Sequence, residues 1–208
     1  MDGAYMKKYL WGLRSLALGT VTAGIALAGV PATSSAALIK TGACDNSSLS
    51  TPFAQFGDNN QYKPVPGGNF EGSLSGWTLS GGARVVNGGN PGGSSGHSLY
   101  LPAGASVTTP FTCVNAAYPS FRLFARNESL LSTVVPQIVY KLPLLGNVAL
   151  PIGVAALSPN WSPTMPLLTA SIVTGILSGG TAQVALKFTA ALGPSELDDI
   201  YVDPAMRR

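Results

Sequence analysis

A Ser–His–Asp nucleophile system needs a histidine, and this chain has one, His97, in the run Gly93-Ser94-Ser95-Gly96-His97-Ser98. Glycine and serine ahead of it mark a turn leading into a strand, so His97 reads as a solvated turn residue rather than a general base. Paired carboxylates for glycoside hydrolysis would have to come from Glu71, Glu128, Glu196, Asp198 and Asp199. Asp198 and Asp199 are neighbours whose side chains alternate in a regular strand, and Glu128 falls in the loop-like Arg126-Asn127-Glu128-Ser129, so no hydrolytic pair stands out. The two cysteines, Cys44 and Cys113, match neither a zinc knuckle nor a CxxC redox pair. Oxygen is then the only ligand type left for a metal. These residues predict a non-enzymatic protein in which Cys44 and Cys113 form a structural disulfide pinning an N-terminal arm to a strand end. In the chain-entropy model, closing a loop of that length stabilises by roughly 4 kcal/mol.

The segment that makes such a bridge plausible lies at the N-terminus. Lys7, Lys8 and Arg14 form a basic region, Ser15 to Val30 is apolar, and residues 31–37 are small. This pattern predicts a signal peptide over 1–37, cut after Ala36 or Ala37, and a secreted or cell-surface protein. The apolar stretch is shorter than the roughly 20 residues of a spanning helix and contains three glycines, so no membrane span is expected after its removal. The formal charge of +3 falls to nearly neutral without this segment, and Arg207-Arg208 is the one basic pair remaining. Nucleic-acid binding, which draws on released counterions, is set aside.

The rest of the chain must supply the scaffold. Residues 38–68 are polar and turn-rich, with Phe53, Phe56 and Tyr62 as spaced anchors, and read as an arm packed on the domain. Over 69–208, short runs rich in β-branched and alternating apolar residues recur between Gly, Pro and Asn clusters, among them Phe121–Ala125, Val134–Tyr140, Ala182–Thr189 and Leu197–Val202. About ten such runs predict an all-β, two-sheet antiparallel β-sandwich. A hairpin turn is expected near Gly146-Asn147.

One motif is more specific. Asn69-Phe70-Glu71-Gly72-Ser73-Leu74-Ser75-Gly76-Trp77 resembles the opening of the jelly-roll carbohydrate-binding modules of the family 4, 9 and 22 type, within the galactose-binding-like sandwiches. Gly96-His97-Ser98-Leu99-Tyr100-Leu101, Trp161-Ser162-Pro163-Thr164 and Asp198-Asp199-Ile200-Tyr201-Val202 follow in the order those modules show. The arm and cysteine pair resemble a group of secreted actinobacterial proteins carrying the same core. The resemblance places Trp77 and Trp161 in structural positions. It also implies a structural Ca²⁺ held by Glu71 with Asp198 or Asp199 and backbone carbonyls. The residues agree: the first and last strands of a jelly roll lie close together, and carboxylates gathered there repel unless a cation joins them.

Sugar-binding faces stack pyranose rings on exposed aromatic planes beside polar groups. The candidates are Tyr62, Tyr100, Tyr118 and Tyr140, with Arg122, Arg126, Asn127 and Gln137 as polar partners. Tyr140 and Gln137 are three apart and face opposite sides of a regular strand. The leading reading is a secreted, non-catalytic carbohydrate-binding-like module that attaches to a polysaccharide or cell-envelope glycan. The alternative is a structural or protein-interaction β-sandwich of the cell surface that self-associates through an apolar patch.

Overall fold

A computed structural model describes residues 49–93, 96–115, 120–142, 145–168 and 181–203. Residues 1–37, expected to form a signal peptide, and Cys44 and Tyr118 lie outside the described residues. A 3-10 turn, η1 (Ala54–Phe56), precedes β1 (Lys63–Pro64), β2 (Thr78–Ser80), β3 (Arg84–Asn87), β4 (His97–Leu101), β5 (Ser106–Thr108), β6 (Thr112–Asn115) and β7 (Ser120–Asn127). Then come β8 (Thr133–Leu142), β9 (Gly146–Pro151), β10 (Ala155–Ala156), β11 (Ser162–Pro163), β12 (Leu167–Leu168), β13 (Thr181–Ala190) and β14 (Ser195–Asp203). Among the described residues no helix is long and apolar enough to cross a membrane.

These strands form two antiparallel sheets. The first runs β11-β7-β14-β4-β3, with β1 beside β14 and β12 beside β7; the second runs β10-β8-β13-β5-β2, with β6 beside β13 and β9 beside β8. The protein is thus an all-β sandwich. Alternation in the long strands explains the layering. Val134, Ile138 and Tyr140 of β8 and Val184, Leu186 and Phe188 of β13 are buried in the core. Phe121, Leu123, Leu197, Ile200 and Leu99 meet them from the first sheet. Each such side chain contributes about 1.5–3 kcal/mol of burial. The β8–β9 pairing sets Leu142 opposite Gly146, a hairpin near the expected Gly146-Asn147.

Phe70 and Trp77 of the opening motif pack edge to face at 5.3 Å, and the Trp77 indole donates to the Pro66 carbonyl at 2.8 Å. Phe70 is buried with φ +56°, a left-handed backbone that a bulky residue adopts only under tertiary constraint. Next to it, the Val65 amide bonds to the Ile200 carbonyl and the Ile200 amide to the Gly68 carbonyl. These bonds tie the motif to β14.

Candidate functional site

The outer face of the first sheet is where the chain departs from a bare sandwich. In β7 both alternating sets are buried, because Arg122 and Phe124, which point away from the core, are covered by the arm. Phe53 and Tyr62, both fully buried, pack with Phe124 and Tyr201 into a second, smaller core. Phe53 stacks on Phe124 at 5.4 Å and meets Tyr62 and Tyr201 edge to face at 5.0 and 5.6 Å.

A charged latch closes over this cluster. The Arg122 guanidinium donates to Asp58 Oδ2 at 2.7 Å and to the Thr164 carbonyl at 2.7 Å, and lies 4.4 Å over the Phe53 ring. Tyr62 donates its hydroxyl to the same Asp58 oxygen at 2.7 Å. Burial opposes ionisation of Asp58, but the bonds from Tyr62 and Arg122 outweigh it and hold the carboxyl below its ordinary value. Burial, reinforced by Asp58, pushes the Tyr62 phenol up.

Beyond the latch, Tyr100, Glu196 and Arg126 sit side by side across β4, β14 and β7. Arg84 lies 4.5 Å over the Tyr100 ring. Buried Glu196 accepts from Arg126 at 2.9 and 3.1 Å and from Ser98 at 3.1 Å, and Glu128 takes a further Arg126 contact at 3.1 Å. The Arg126 guanidinium also covers Trp161 at 5.2 Å. Here a pocket of about 380 Å³ opens. Phe124 is its floor, Trp161, Asn160 and Arg126 form one side, and Gln55, Phe56 and the Asn90–Gly92 loop complete the lining.

A third cluster lies at the bend of β14. Asp198 pairs with Phe124 and Tyr201 with Arg122, so Asp199 and Ile200 together oppose Leu123, which is a β-bulge. Asp199 has φ +47°. The bulge corrects the expectation of alternating aspartates, since both now reach the Asn90 loop. Asp198 Oδ2 accepts the Asn90 amide at 2.7 Å and Oδ1 the Asp199 amide at 2.7 Å. Asp199 Oδ2 takes the Asn90 side-chain amide at 3.3 Å. It also lies where a Cβ on Gly93 would stand, so a larger residue at position 93 would displace the Asp199 carboxylate. Burial raises the Asp199 pKa, the Asn90 bond offsets part of this, and the charge of Glu71 raises it further. Glu71 itself is exposed and bonded to His97, through the amide at 2.7 Å and Nδ1 at 2.9 Å. The His97 side-chain bond, the largest influence, keeps Glu71 below its usual value.

The charge of Glu71 thus reaches Asp199 as a like charge, a repulsion that an oxygen-ligated cation would relieve. Among the described residues no group of three or more His, Cys, Asp or Glu gathers as a metal site, so the rest of any Ca²⁺ shell would be main-chain carbonyls and water. Asp198 is committed to the backbone. Another crevice of about 380 Å³, lined by residues 64–69 and 199–201, includes Asp199 in its wall.

The structure leaves Tyr100 and Arg126 partly exposed on one face, buries Arg122 under the arm and Tyr62 within it on that same face, and turns Tyr140 into the core. Arg122 is buried in the latch, where its donors serve Asp58 and Thr164. Tyr140 points into the core, opposite in sense to Gln137, and burial pushes its phenol up to about 12. Cys113 lies in β6 and is not a free thiol, while its expected partner Cys44 is outside the described residues. Sequence reasoning missed Gln55, Phe56 and Asn160, and assigned Trp161 to a purely structural position. The available signal was aromatic residues set in turn-rich loops, Phe53-Ala54-Gln55-Phe56 and Pro159-Asn160-Trp161.

The outer face of the second sheet carries a different surface. Gln137, Lys187, Thr108 and Thr78 form one row across β8, β13, β5 and β2, and Val135, Thr189, Ser106 and Ser80 the next. Among the described residues of these rows there is no aromatic ring.

No family profile matches the chain, and no curated protein matches it. Solved structures do. A two-module chain of Clostridium thermocellum endo-1,4-beta-D-xylanase 10B, with CBM22-1 and GH10 modules and xylohexaose bound, is 12% identical with a TM-score of 0.50. The match covers 67% of this chain and 28% of that one. The CBM22-1 xylan-binding domain of Paenibacillus barcinonensis Xyn10C is 11% identical at a TM-score of 0.47, covering 66% of this chain and 91% of its own. TmCBM61 with beta-1,4-galactotriose is 14% identical at 0.40, covering 69% and 99%. This β-sandwich is the jelly-roll fold of carbohydrate-binding modules, the fold that the ordered motifs from Asn69 to Asp203 imply.

Proposed function

We propose that the protein is a secreted, non-catalytic module that binds a polysaccharide or cell-envelope glycan. One observation carries this: an aromatic and carboxamide pocket, with Trp161, Phe56, Gln55 and Asn160 on its wall, sits on a rigid sandwich face. A fold shared with a module solved beside xylohexaose supports it. The state of the carboxylates supports absence of catalysis. Asp58 is paired with Arg122 and held below its ordinary value, which disfavours it as a general acid, and Glu128 and Glu196 are both engaged in ion pairs with Arg126. The test is a pull-down of the mature chain on insoluble polysaccharides with a glycan array. Retention on at least one glycan is expected, and uniform absence of binding overturns the reading.

Two companion proposals concern the scaffold. Ca²⁺ bound by Glu71 and Asp199 would remove the repulsion between them, and Cys44 with Cys113 would tie the arm to β6. Mass spectrometry of the unreduced chain tests the bridge, and N-terminal sequencing of exported protein tests cleavage after Ala36 or Ala37.

A second reading has its own observation. Leu130, Leu131 and Leu192 are 100%, 71% and 67% exposed, and the loops bearing them are joined by the Glu128 amide and the Ser132 hydroxyl, both donating to the Pro194 carbonyl. Such an apolar tip suits self-association of a cell-surface scaffold. Light scattering over a concentration series, with no glycan retained, would favour this alternative.

A further inference from the structure

We infer that the pocket built by the arm takes a single neutral hexopyranose unit at the end of a glycan, an inference that rests on the glycan-binding reading. Size is the first argument. At about 380 Å³ the pocket is near the lower end of ligand pockets, which run to roughly 300–1,000 Å³, so it accommodates a sugar ring and its substituents rather than a length of chain. Its aromatic surfaces are arranged around a hollow. Phe56, 49% exposed, comes from η1, and half-buried Trp161 from the loop before β11, with Phe124 beneath. A flat row of coplanar rings, which a long or crystalline chain needs, is not what these elements make.

Polarity names the chemical class. Gln55 and Asn160 are exposed carboxamides, each able to donate and accept, as a sugar hydroxyl is. Asn90 is spent on the fold, its side chain accepting from the Gly92 amide and donating to Asp199, so it shapes the wall instead of reading the ligand. Arg126 is the one cation among the described lining residues, and it faces two carboxylates, Glu196 and Glu128. A uronic or sialic acid would enter a cluster already negative by one charge. A neutral hexose meets no such penalty.

The arm supplies Gln55 and Phe56 to the pocket. Gln55 and Phe56 lie in a three-residue turn held from below by buried Phe53 and from the side by the Asp58–Arg122 latch. Asp58 and Arg122 are therefore positioning residues for a site they do not touch.

The experiment is titration of the mature chain with methyl glycosides of glucose, galactose, mannose and glucuronic acid and with a neutral oligosaccharide retained on the array. Indole fluorescence and calorimetry are the readouts. A neutral methyl glycoside is expected to compete fully with the oligosaccharide, and methyl glucuronide to bind about tenfold or more weakly. Trp161→Ala and Gln55→Ala should each weaken binding about tenfold, with Trp161→Phe restoring part of it. Gln55 is exposed, so its variant keeps the test valid if Trp161→Ala fails to fold. Glu128→Gln should narrow the gap between glucoside and glucuronide, a change that a merely structural role would not produce. Preference for glucuronide overturns the neutral class. Glycan binding that neither Trp161→Ala nor Gln55→Ala weakens overturns the pocket but leaves the glycan-binding reading standing, whereas no glycan bound at all removes both.

Discussion

The two outer faces of the sandwich start from the same pleated geometry and end as different surfaces. On the second sheet, Gln137, Lys187 and Thr189 stand half-exposed between buried neighbours, the half-solvated alternation of a sheet with one face to water. On the first, Arg122, Phe124, Glu196 and Asp198 occupy the corresponding outward positions and are all buried. The strands are not the cause. Residues 49–62 cover Arg122 and Phe124, Arg126 engages Glu196, and the Asn90 loop engages Asp198. With the Asn90 and Trp161 loops the arm also lines a hollow. The hollow is therefore built largely by parts that the sandwich itself does not require.

The comparison breaks most severely at Phe53. Phe53→Ala removes the centre of the second core and should cost about 3–5 kcal/mol in urea unfolding, while Gln137→Ala on the other face should stay within about 0.5 kcal/mol. Equal losses would mean that the arm does not stabilise the first face. Calcium should follow in size: at about a hundredfold excess over Kd, binding to the native state adds about 2.7 kcal/mol. Melting temperature should therefore rise from EDTA to excess Ca²⁺, and the rise should vanish in Glu71→Gln. No difference between EDTA and Ca²⁺ removes the cation from the Glu71–Asp199 pair.

The latch comes next. Asp58→Asn leaves the Arg122 guanidinium nearly buried and without its ionic partner, at a cost of about 2 kcal/mol, below the 3–5 of a fully buried pair. The sign of its pH dependence follows from the lowered Asp58 pKa. A carboxylate depressed in the folded state contributes stability that is present above the ordinary carboxylate pKa and lost as pH falls through the lowered value. The wild-type advantage over Asp58→Asn should be level from pH 8 to 5 and shrink below about pH 4. A gap that grows on acidification contradicts the latch. The smallest effect sharpens the contrast: Thr108→Ala on the second sheet should change stability by no more than about 0.5 kcal/mol and leave glycan retention unaltered. Loss of retention there would move the binding face to the other sheet.

Much of the scaffold was legible because its signals are local. Alternation over Val134–Tyr140 and Ala182–Thr189 identifies strands whatever they pair with, and the spaced Phe53 and Tyr62 mark an arm that must bury them. The site was legible only in fragments. Tyr100 and Arg126 were recognised as polar and aromatic candidates, but Arg122, of the same residue type as Arg126, has a wholly different part. Its partner Asp58 is 64 residues away, and no spacing rule connects them. Tyr140 reads like a binding tyrosine until the parity of β8 turns it inward.

By itself the sequence determined that this chain makes short strands around two sets of apolar residues, with oxygen ligands and one histidine as its chemistry. Those properties depend on composition and on periods of a few residues. The tertiary structure alone decided the rest. The bulge at Asp199 places both aspartates at one loop, and the arm turns half of one sheet into a core. Trp161, Phe56 and Gln55 meet around one hollow because two segments distant in the chain are folded onto the same face.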